Sequence, residues 1–209
     1  MKKMLFLTII TLFIINTINA QMKTCNDTEL PGWGEDLGTI SFVSDKMWTV
    51  GSQTWSDAVQ AANCNKPTFN GGSAGNFRAD CRINPNFGVF FSWYAVVRFA
   101  AQLCPAPWRV PTQQDFVNLD VALGGTGSNN QNDTIIRNRY LSDWGAAYGG
   151  VCVSGASVWS RGAWGLYWSQ SEYDADYGHY LYFDTHDNIF PLGRGIKSLG
   201  LLLRCVCDN

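Results

Sequence analysis

The sequence predicts a single α+β domain with two or three helices and a mostly antiparallel sheet. The chain has 209 residues, of which 46% are hydrophobic and 15% are charged, a balance typical of one globular domain. Helix-type and strand-type apolar patterns both occur, and neither an internal repeat nor a Pro/Ser-rich linker divides the chain. The net charge of -2 lacks the basic excess of nucleic-acid-binding proteins, so we expect no nucleic-acid partner.

The first twenty residues have the pattern of a secretory signal peptide. Lys2 and Lys3 precede an apolar run over residues 4–15, and the segment ends at the small residue Ala20. As a helix this run spans about 18 Å, which is shorter than the hydrocarbon core of a membrane, so a permanent anchor is the less favoured alternative. We expect cleavage after residue 20, then an irregular leader over residues 21–37 and the domain itself over residues 38–209, with no later transmembrane span.

Strand and helix patterns alternate at the start of the domain. Residues 39–43 and 46–50 favour β-strands, with a turn between them. Residues 53–63 are predicted to form a helix because apolar residues recur there at positions i, i+3, i+4 and i+7. The residues at this spacing are Trp55, Ala58, Val59 and Ala62.

Two further helices are predicted from their capping and stop residues. Ser92 is a suitable N-cap for a helix over residues 93–104, which ends before a proline. Thr112 is a suitable N-cap for a third helix, with Asp115 three residues later. Two consecutive glycines then end this third helix.

The second half of the domain is predicted to be mainly loop and strand. Residues 124–132 (GGTGSNNQN) form a flexible loop by composition, and residues 140–164 form a long, partly ordered excursion rich in Gly, Ser and aromatic residues. A strand over 180–184 is followed by a turn and a partner strand that begins at 189–190. Residues 199–206 are predicted to form a last, apolar strand.

The cysteines indicate a disulfide-bonded protein. The seven cysteines are Cys25, Cys64, Cys81, Cys104, Cys152, Cys205 and Cys207. In an exported chain disulfides are the expected state, and an odd number leaves one cysteine over. Zinc is disfavoured because the cysteine spacing does not match zinc motifs. Cys64 and Cys81 are a possible pair on short separation alone.

Four collinear motifs resemble one bacterial family. Residues 104–112 (CPAPWRVPT) resemble the C-P-x-G-W-x-[VI]-P-[TS] hallmark of the Fibrobacter succinogenes major paralogous domain. Residues 51–55 (GSQTW), 167–173 (YWSQSEY) and 198–206 (SLGLLLRCV) resemble its G-x-Q-x-W, Y-W-S-S-[ST]-E-Y and S-x-G-x-x-[VL]-R-C-V motifs. Pro107 replaces the usual Gly of the hallmark.

The resemblance implies a C-type-lectin-like fold, stapled by disulfides, in a protein secreted or exposed on the outer surface of a bacterial cell. On that scaffold Cys104 ends a helix and Cys205 lies in the last strand, which implies a disulfide between them. Such a bridge closes a loop of roughly 100 residues and stabilises the fold by about 4 to 5 kcal/mol. Cys207 would pair with Cys25 or Cys152, which leaves the other as the odd thiol.

The aromatic residues of the 140–164 excursion are the candidate ligand-binding residues. They are Trp144, Tyr148, Trp159 and Trp164. Aromatic faces stack on sugar rings and form interface hot spots, and loops on a rigid scaffold often carry function. The favoured structural alternative is a loop packed under its own aromatic rings.

Acidic residues crowd the window from 172 to 187. Asp174, Asp176, Asp184 and Asp187 are weak calcium candidates, because hard cations prefer several carboxylate and carbonyl oxygens. Their spacing fits no dense calcium loop, so a polar hairpin with solvated turns is the favoured interpretation. We expect no cofactor, with calcium as the alternative.

The predicted function is a secreted or cell-surface binding module for a glycan or protein ligand, without catalytic activity. The chain has no nucleophile elbow, H-E-x-x-H, P-loop or dinucleotide motif, and it has only two histidines. One alternative is an enzyme related at the level of fold to formylglycine-generating oxidases, which needs a reactive thiol pair such as Cys205 and Cys207. Another is a structural component of the cell surface.

Overall fold

Two antiparallel sheets, a two-stranded ribbon and four helices make up the part of the chain that the computed structural model describes, which is residues 39–61, 87–153 and 157–209. The strands are β1 (Ile40–Phe42), β2 (Trp48–Val50), β3 (Gln53–Ala61), β4 (Gln131–Asn132), β5 (Val151–Val153), β6 (Ser157–Trp159), β7 (Trp164–Glu172), β8 (Tyr177–Asp184), β9 (Asn188–Ile196) and β10 (Arg204–Asp208). The helices are α1 (Trp93–Arg98), α2 (Ala100–Leu103), α3 (Gln113–Ala122) and α4 (Thr134–Ser142). The predicted signal peptide (1–20), the leader (21–37) and the Cys64–Cys81 pair lie outside the described residues.

The prediction of an α+β fold with mostly antiparallel sheets is confirmed. Every pairing between the strands named above is antiparallel. The predicted Cys104–Cys205 disulfide is also present, with an S–S distance of 2.05 Å. Cys152 and Cys207 are disulfide-bonded as well. No helix within the described ranges is long and apolar enough to cross a membrane.

The first sheet contains the largest error of the sequence prediction, because residues 53–61 form strand β3 instead of a helix. β3 pairs with β1 and β2, and with β10 near the end of the chain. Most of its side chains are buried on both faces of the sheet, so the strict alternation that marks a half-exposed strand is absent. Nearly every position of β3 is buried and can therefore be apolar, so the helical spacing of Trp55, Ala58 and Val59 did not indicate a helix.

The second sheet has the strand order β4-β9-β8-β7. The predicted strand at 180–184 is confirmed within β8, and its predicted partner at 189–190 is confirmed within β9. Side chains alternate along β8: Leu181 and Phe183 are buried in the core that includes α3 and α4, whereas Tyr180 and Tyr182 lie against the other core. This alternation presents two tyrosines on one face of the sheet.

Two of the three helix predictions are confirmed, although one of these predicted helices is divided into two. Ser92 caps α1 as predicted, but Phe99 leaves helical geometry and divides the predicted 93–104 helix into α1 and α2. Thr112 caps α3, and the side chain of Asp115 completes a capping box with its backbone. The sequence prediction missed α4, although Asp133 is its N-cap and accepts hydrogen bonds from the first-turn amides.

The last apolar segment is extended, but its regular ladder begins only at Arg204. Leu201 and Leu202 form isolated bridges to other segments, so the predicted strand over 199–206 is confirmed only in part. Leu201, Leu203 and Cys205 belong to one core and Leu202 to the other. This segment therefore joins the two cores with its alternate faces.

Candidate functional site

A groove of about 760 Å³ is the candidate functional site, and strands β7, β8 and β9 form most of its wall. Five aromatic side chains line it: Trp164, Tyr173, Tyr180, Tyr182 and Phe190. We call this cavity the aromatic groove. Its volume falls within the range of about 300 to 1,000 Å³ that is usual for pockets that bind small molecules.

Strand register places three of these rings on one face of the sheet. Tyr182 lies directly opposite Phe190, and Tyr180 lies directly opposite Gly193, and opposite residues of antiparallel strands share a face. The Tyr182 ring centroid is 5.6 Å from that of Phe190 and 5.8 Å from that of Trp164. The three rings form a continuous aromatic surface.

Two glycines of β9 allow Tyr180 to lie across the neighbouring strand. A Cβ atom at Gly193 would be 2.4 Å from the Tyr180 ring, and one at Gly195 would be 2.5 Å from it. Any larger residue at either position would displace the ring. The Gly-Arg-Gly sequence of β9 therefore helps to shape the floor of the groove.

Neutral polar groups of the groove are available to a ligand. The Tyr180 hydroxyl and the Gln113 side-chain amide have no hydrogen-bond partner within the described part of the chain, and both residues line the groove. Burial raises the pKa of Tyr180, so its hydroxyl keeps its proton at neutral pH. Burial also lowers the pKa of His179, so this imidazole is neutral at pH 7. These groups can both donate and accept hydrogen bonds.

One cation stands at the polar part of the groove. The Arg194 guanidinium lies 4.5 Å from the centroid of the Tyr173 ring and donates a hydrogen bond to the Tyr173 hydroxyl. The Tyr173 ring is in turn edge-on to His179, with centroids 5.3 Å apart. Tyr173 thus positions Arg194 beside the imidazole.

The structure brings one of the four predicted ligand-binding residues to the aromatic groove. Trp164 lines it. Trp159 is 59% exposed and lies directly opposite Val151, a groove residue, in the β5–β6 ribbon. Trp159 is thus paired with a lining residue but does not itself line the groove.

The other two predicted residues do not reach the groove. Trp144 is 0% exposed and packs edge-on against Trp55 and Tyr140 in the core, so it offers no surface to a ligand. Tyr148 is half-buried and packs on Phe183, with centroids 5.5 Å apart. Trp144 follows directly after α4, and the helix that the sequence prediction missed is what draws this residue into the core.

Trp144 has a structural partner in a fully buried arginine. The Arg204 guanidinium lies 4.5 Å from the Trp48 ring and 4.3 Å from the Trp144 ring, and it donates hydrogen bonds to the carbonyl oxygens of Ser56 and Trp144. Burial lowers the pKa of Arg204 to about 10. The residue therefore remains charged at neutral pH and stabilises the core through cation–π contacts.

The four weak calcium candidates do not form one site. Asp174 and Asp176 precede β8, whereas Asp184 and Asp187 stand at its other end, and eight residues of strand span about 25 Å. Asp184 accepts hydrogen bonds from nearby side chains and backbone amides, and Asp187 pairs with Arg137. Within the described residues, no three His, Cys, Asp or Glu side chains are grouped as metal ligands.

The sequence prediction missed most residues of the aromatic groove. Tyr180, Tyr182, Phe190 and Arg194 lie in β8 and β9, where the sequence indicated only weak calcium candidates and a polar hairpin. The signal was the alternation of Tyr180 and Tyr182, which places two aromatic rings on one face of a strand. Gln113 carried no such signal, because it reaches the groove only through the packing of α3 against the sheet.

The groove combines aromatic faces, neutral hydrogen-bonding groups and one cation, which suits the binding of a polar ligand with apolar faces. The cysteine pair considered for the enzyme alternative is not reduced, since Cys205 is bonded to Cys104 and Cys207 is also in a disulfide.

Comparisons of the chain with protein-family models, curated proteins and solved structures find no match.

Proposed function

We propose that this protein is a secreted or cell-surface binding module that holds a carbohydrate in the aromatic groove. The observation that carries the proposal is the groove itself, about 760 Å³ in volume and lined by five aromatic residues. This volume suits a few sugar units. A protein partner would need a contact patch of about 800 Å² on each side, which is far larger than a groove of this kind.

The chemistry of a sugar matches the lining of the groove. A sugar ring has an apolar C–H face, which stacks on an aromatic ring, and an edge of hydroxyl groups, which both donate and accept hydrogen bonds. Tyr182 and Phe190 provide the aromatic surface. The Tyr180 hydroxyl, the Gln113 amide and the His179 imidazole provide neutral polar partners.

The proposal includes export and a C-type-lectin-like architecture. Export is supported by the disulfides at Cys104, Cys152, Cys205 and Cys207, because such bonds form in oxidising compartments. The lectin-like architecture is supported by the α+β class, the antiparallel sheets and the bridge from the end of α2 to β10. The enzyme alternative is not favoured, because Cys205 and Cys207 do not supply a reduced thiol pair.

Binding to a glycan array, followed by titration calorimetry with the best ligand, tests the proposal. Two neighbouring glutamines of α3 form a matched pair of variants. Gln113 lines the groove, whereas Gln114 is exposed and donates a hydrogen bond to Asn118. We expect Gln113→Ala to weaken binding about fivefold, as for the loss of one hydrogen bond, and Gln114→Ala to bind like the wild type.

A second variant tests the aromatic surface. Phe190→Ala removes one ring of the groove, and we expect it to weaken binding about tenfold or more. Circular dichroism of each variant checks that the fold is intact. The proposal is wrong if the folded wild-type protein binds no carbohydrate at millimolar concentration, or if folded Phe190→Ala and Gln113→Ala both bind like the wild type.

A further inference from the structure

We infer that the saccharide held by the aromatic groove carries a carboxylate, and that Arg194 binds this carboxylate. The inference rests on the proposed function and adds the charge class of the ligand. It depends on Arg194 being a groove residue that forms no ion pair with any carboxylate of the described residues. Uronic acids and sialic acids share the required chemistry.

Among the described residues, Arg194 differs from several other cations in having no acidic partner. No carboxylate within the described residues forms an ion pair with it. Three other cations of the described residues have carboxylate partners: Arg109 pairs with Asp115, Arg137 with Asp187 and Lys197 with Glu172. The charge of Arg194 is therefore available to a ligand in the groove.

Two acidic residues near the turn between β7 and β8 have other partners. Glu172 accepts a hydrogen bond from Lys197. The Asp174 carboxylate accepts hydrogen bonds from the backbone amides of Asp176 and Tyr177, at 2.9 and 2.8 Å. Within the described part of the chain, neither carboxylate is hydrogen-bonded to Arg194.

Contacts with Tyr173 hold Arg194 in place. Its guanidinium stacks on the Tyr173 ring, and one of its N–H groups is bonded to the Tyr173 hydroxyl. A guanidinium has five N–H donors in a planar fork, so several remain for a carboxylate. Because the position of the guanidinium is already restricted, the arginine side chain loses less conformational entropy when a ligand binds there.

Neutral polar and aromatic groups of the groove lie beside this cation. His179 and Arg194 both line the groove, together with Tyr173. Tyr182 and Phe190 line the same groove. One sugar can therefore stack on the rings while its carboxylate reaches the guanidinium, as a bidentate pair.

A glycan array with matched ligands tests the inference. The array carries glycans that end in a uronic acid or in a sialic acid, each beside its carboxyl-reduced counterpart. We expect the wild-type protein to bind at least one acidic form about fivefold to tenfold more tightly than its reduced form. Added salt should reduce this preference, because Arg194 is exposed. The two arms show which acid is recognised.

A matched pair of arginine variants completes the test. Arg98 is also exposed and also stacks on an aromatic ring, that of Phe99, but it does not line the groove. We expect Arg194→Gln to lower the ratio of acidic to reduced binding to about one, and Arg98→Gln to keep the wild-type ratio. The ratio is read within each variant, so any general loss of affinity does not affect it.

The outcomes separate the two proposals. Equal binding of acidic and reduced glycans by the wild-type protein overturns the carboxylate inference and leaves the carbohydrate proposal in place. A preference for the acidic form that survives Arg194→Gln overturns the role of Arg194. Binding of neither form by the folded protein overturns both proposals.

Discussion

At the scale of single residues, Asp115 shows how one carboxylate can join distant parts of the chain. It accepts hydrogen bonds from Arg109 at 2.6 Å, from Gln53 at 2.6 Å and from the backbone amide of Thr112 at 2.6 Å. Burial alone would raise the pKa of Asp115. The hydrogen bonds from Arg109, Thr112 and Gln53 outweigh burial and lower the pKa to about 2.

This pKa shift predicts an acid-sensitive contribution to stability. In the unfolded chain the pKa of an aspartate is near 3.8, so the contribution of Asp115 is complete above pH 5 and is lost as the pH falls toward 2. We expect its loss to lower the free energy of unfolding by about 1 to 2 kcal/mol. Urea denaturation of the wild type at pH 7 and pH 3 measures the change.

Two variants identify the residue responsible. Asp115→Asn cannot ionise, so its free energy of unfolding should fall less between pH 7 and pH 3 than that of the wild type. Asp45→Asn, at an exposed aspartate between β1 and β2, should keep the wild-type pH dependence. An unchanged pH dependence in Asp115→Asn would contradict the assignment.

Asp115 also illustrates what is predictable at this scale. Its place three residues after Thr112 predicted the capping box, because both partners lie in one turn of helix. Its contacts with Gln53 and Arg109 were not predictable. Gln53 lies in the segment that was assigned to a helix, and only the pairing of β3 in the first sheet places it beside α3.

At the scale of elements, residues 124–132 were predicted to form a flexible loop. In the structure, polar contacts hold this loop against α3 and β9. The buried Asp120 carboxylate accepts hydrogen bonds from the Gly127 amide at 2.7 Å and from the Gln131 side chain at 2.8 Å. The Asn129 side chain bonds to both backbone groups of Leu192 in β9. Composition alone could not reveal these contacts, because the acceptors lie in α3 and β9.

The close packing of this loop predicts a marked effect of Gly125→Ala. A Cβ atom at Gly125 would be 2.3 Å from an oxygen of Asp120, whereas one at Gly162 would have no neighbour within 4 Å. We expect Gly125→Ala to lower the free energy of unfolding by about 2 to 4 kcal/mol. Gly162→Ala should cost about 1 kcal/mol, from its positive φ of 80° alone.

Chemical denaturation of the two variants measures this difference. Hydrogen exchange of the Gly127 amide provides a local readout, because this amide donates to Asp120. Faster exchange of Gly127 is expected in Gly125→Ala and not in Gly162→Ala. If the two variants were equally stable, the loop could not be packed against Asp120 as described.

At the scale of the whole molecule, the Cys104–Cys205 disulfide joins the end of α2 to β10. Its two cysteines are 101 residues apart in the sequence, so the bond restricts a large part of the unfolded chain. Both cysteines are buried in the same core as Leu201 and Leu203, and β10 pairs with β3. The bond therefore stabilises the contact between the last strand and the middle of the domain.

Removal of this disulfide should destabilise the protein strongly. We expect the Cys104→Ala/Cys205→Val variant, which keeps much of the buried volume, to lose about 4 to 5 kcal/mol, as the loop-closure entropy of about 100 residues requires. The midpoint and slope of urea denaturation under non-reducing conditions measure the loss. A loss below 1 kcal/mol would show that the cross-link contributes little.

The sequence by itself determined the features that depend on neighbouring residues. The hairpin of β8 and β9, the caps at Ser92 and Thr112 and the apolar character of the last segment all follow from patterns within about ten residues. Local backbone preference and burial are enough to specify such features, and they could be predicted without knowledge of the remaining chain.

Tertiary structure decided the rest, because the deciding contacts join residues far apart in the chain. The Val206↔Trp55 pairing between β10 and β3 made residues 53–61 a strand in spite of their helical spacing. The packing of α4 placed Trp144 in the core, and the meeting of three strands with α3 formed the aromatic groove. A pattern within one segment cannot encode such contacts, since their free energy depends on both of the segments that are in contact.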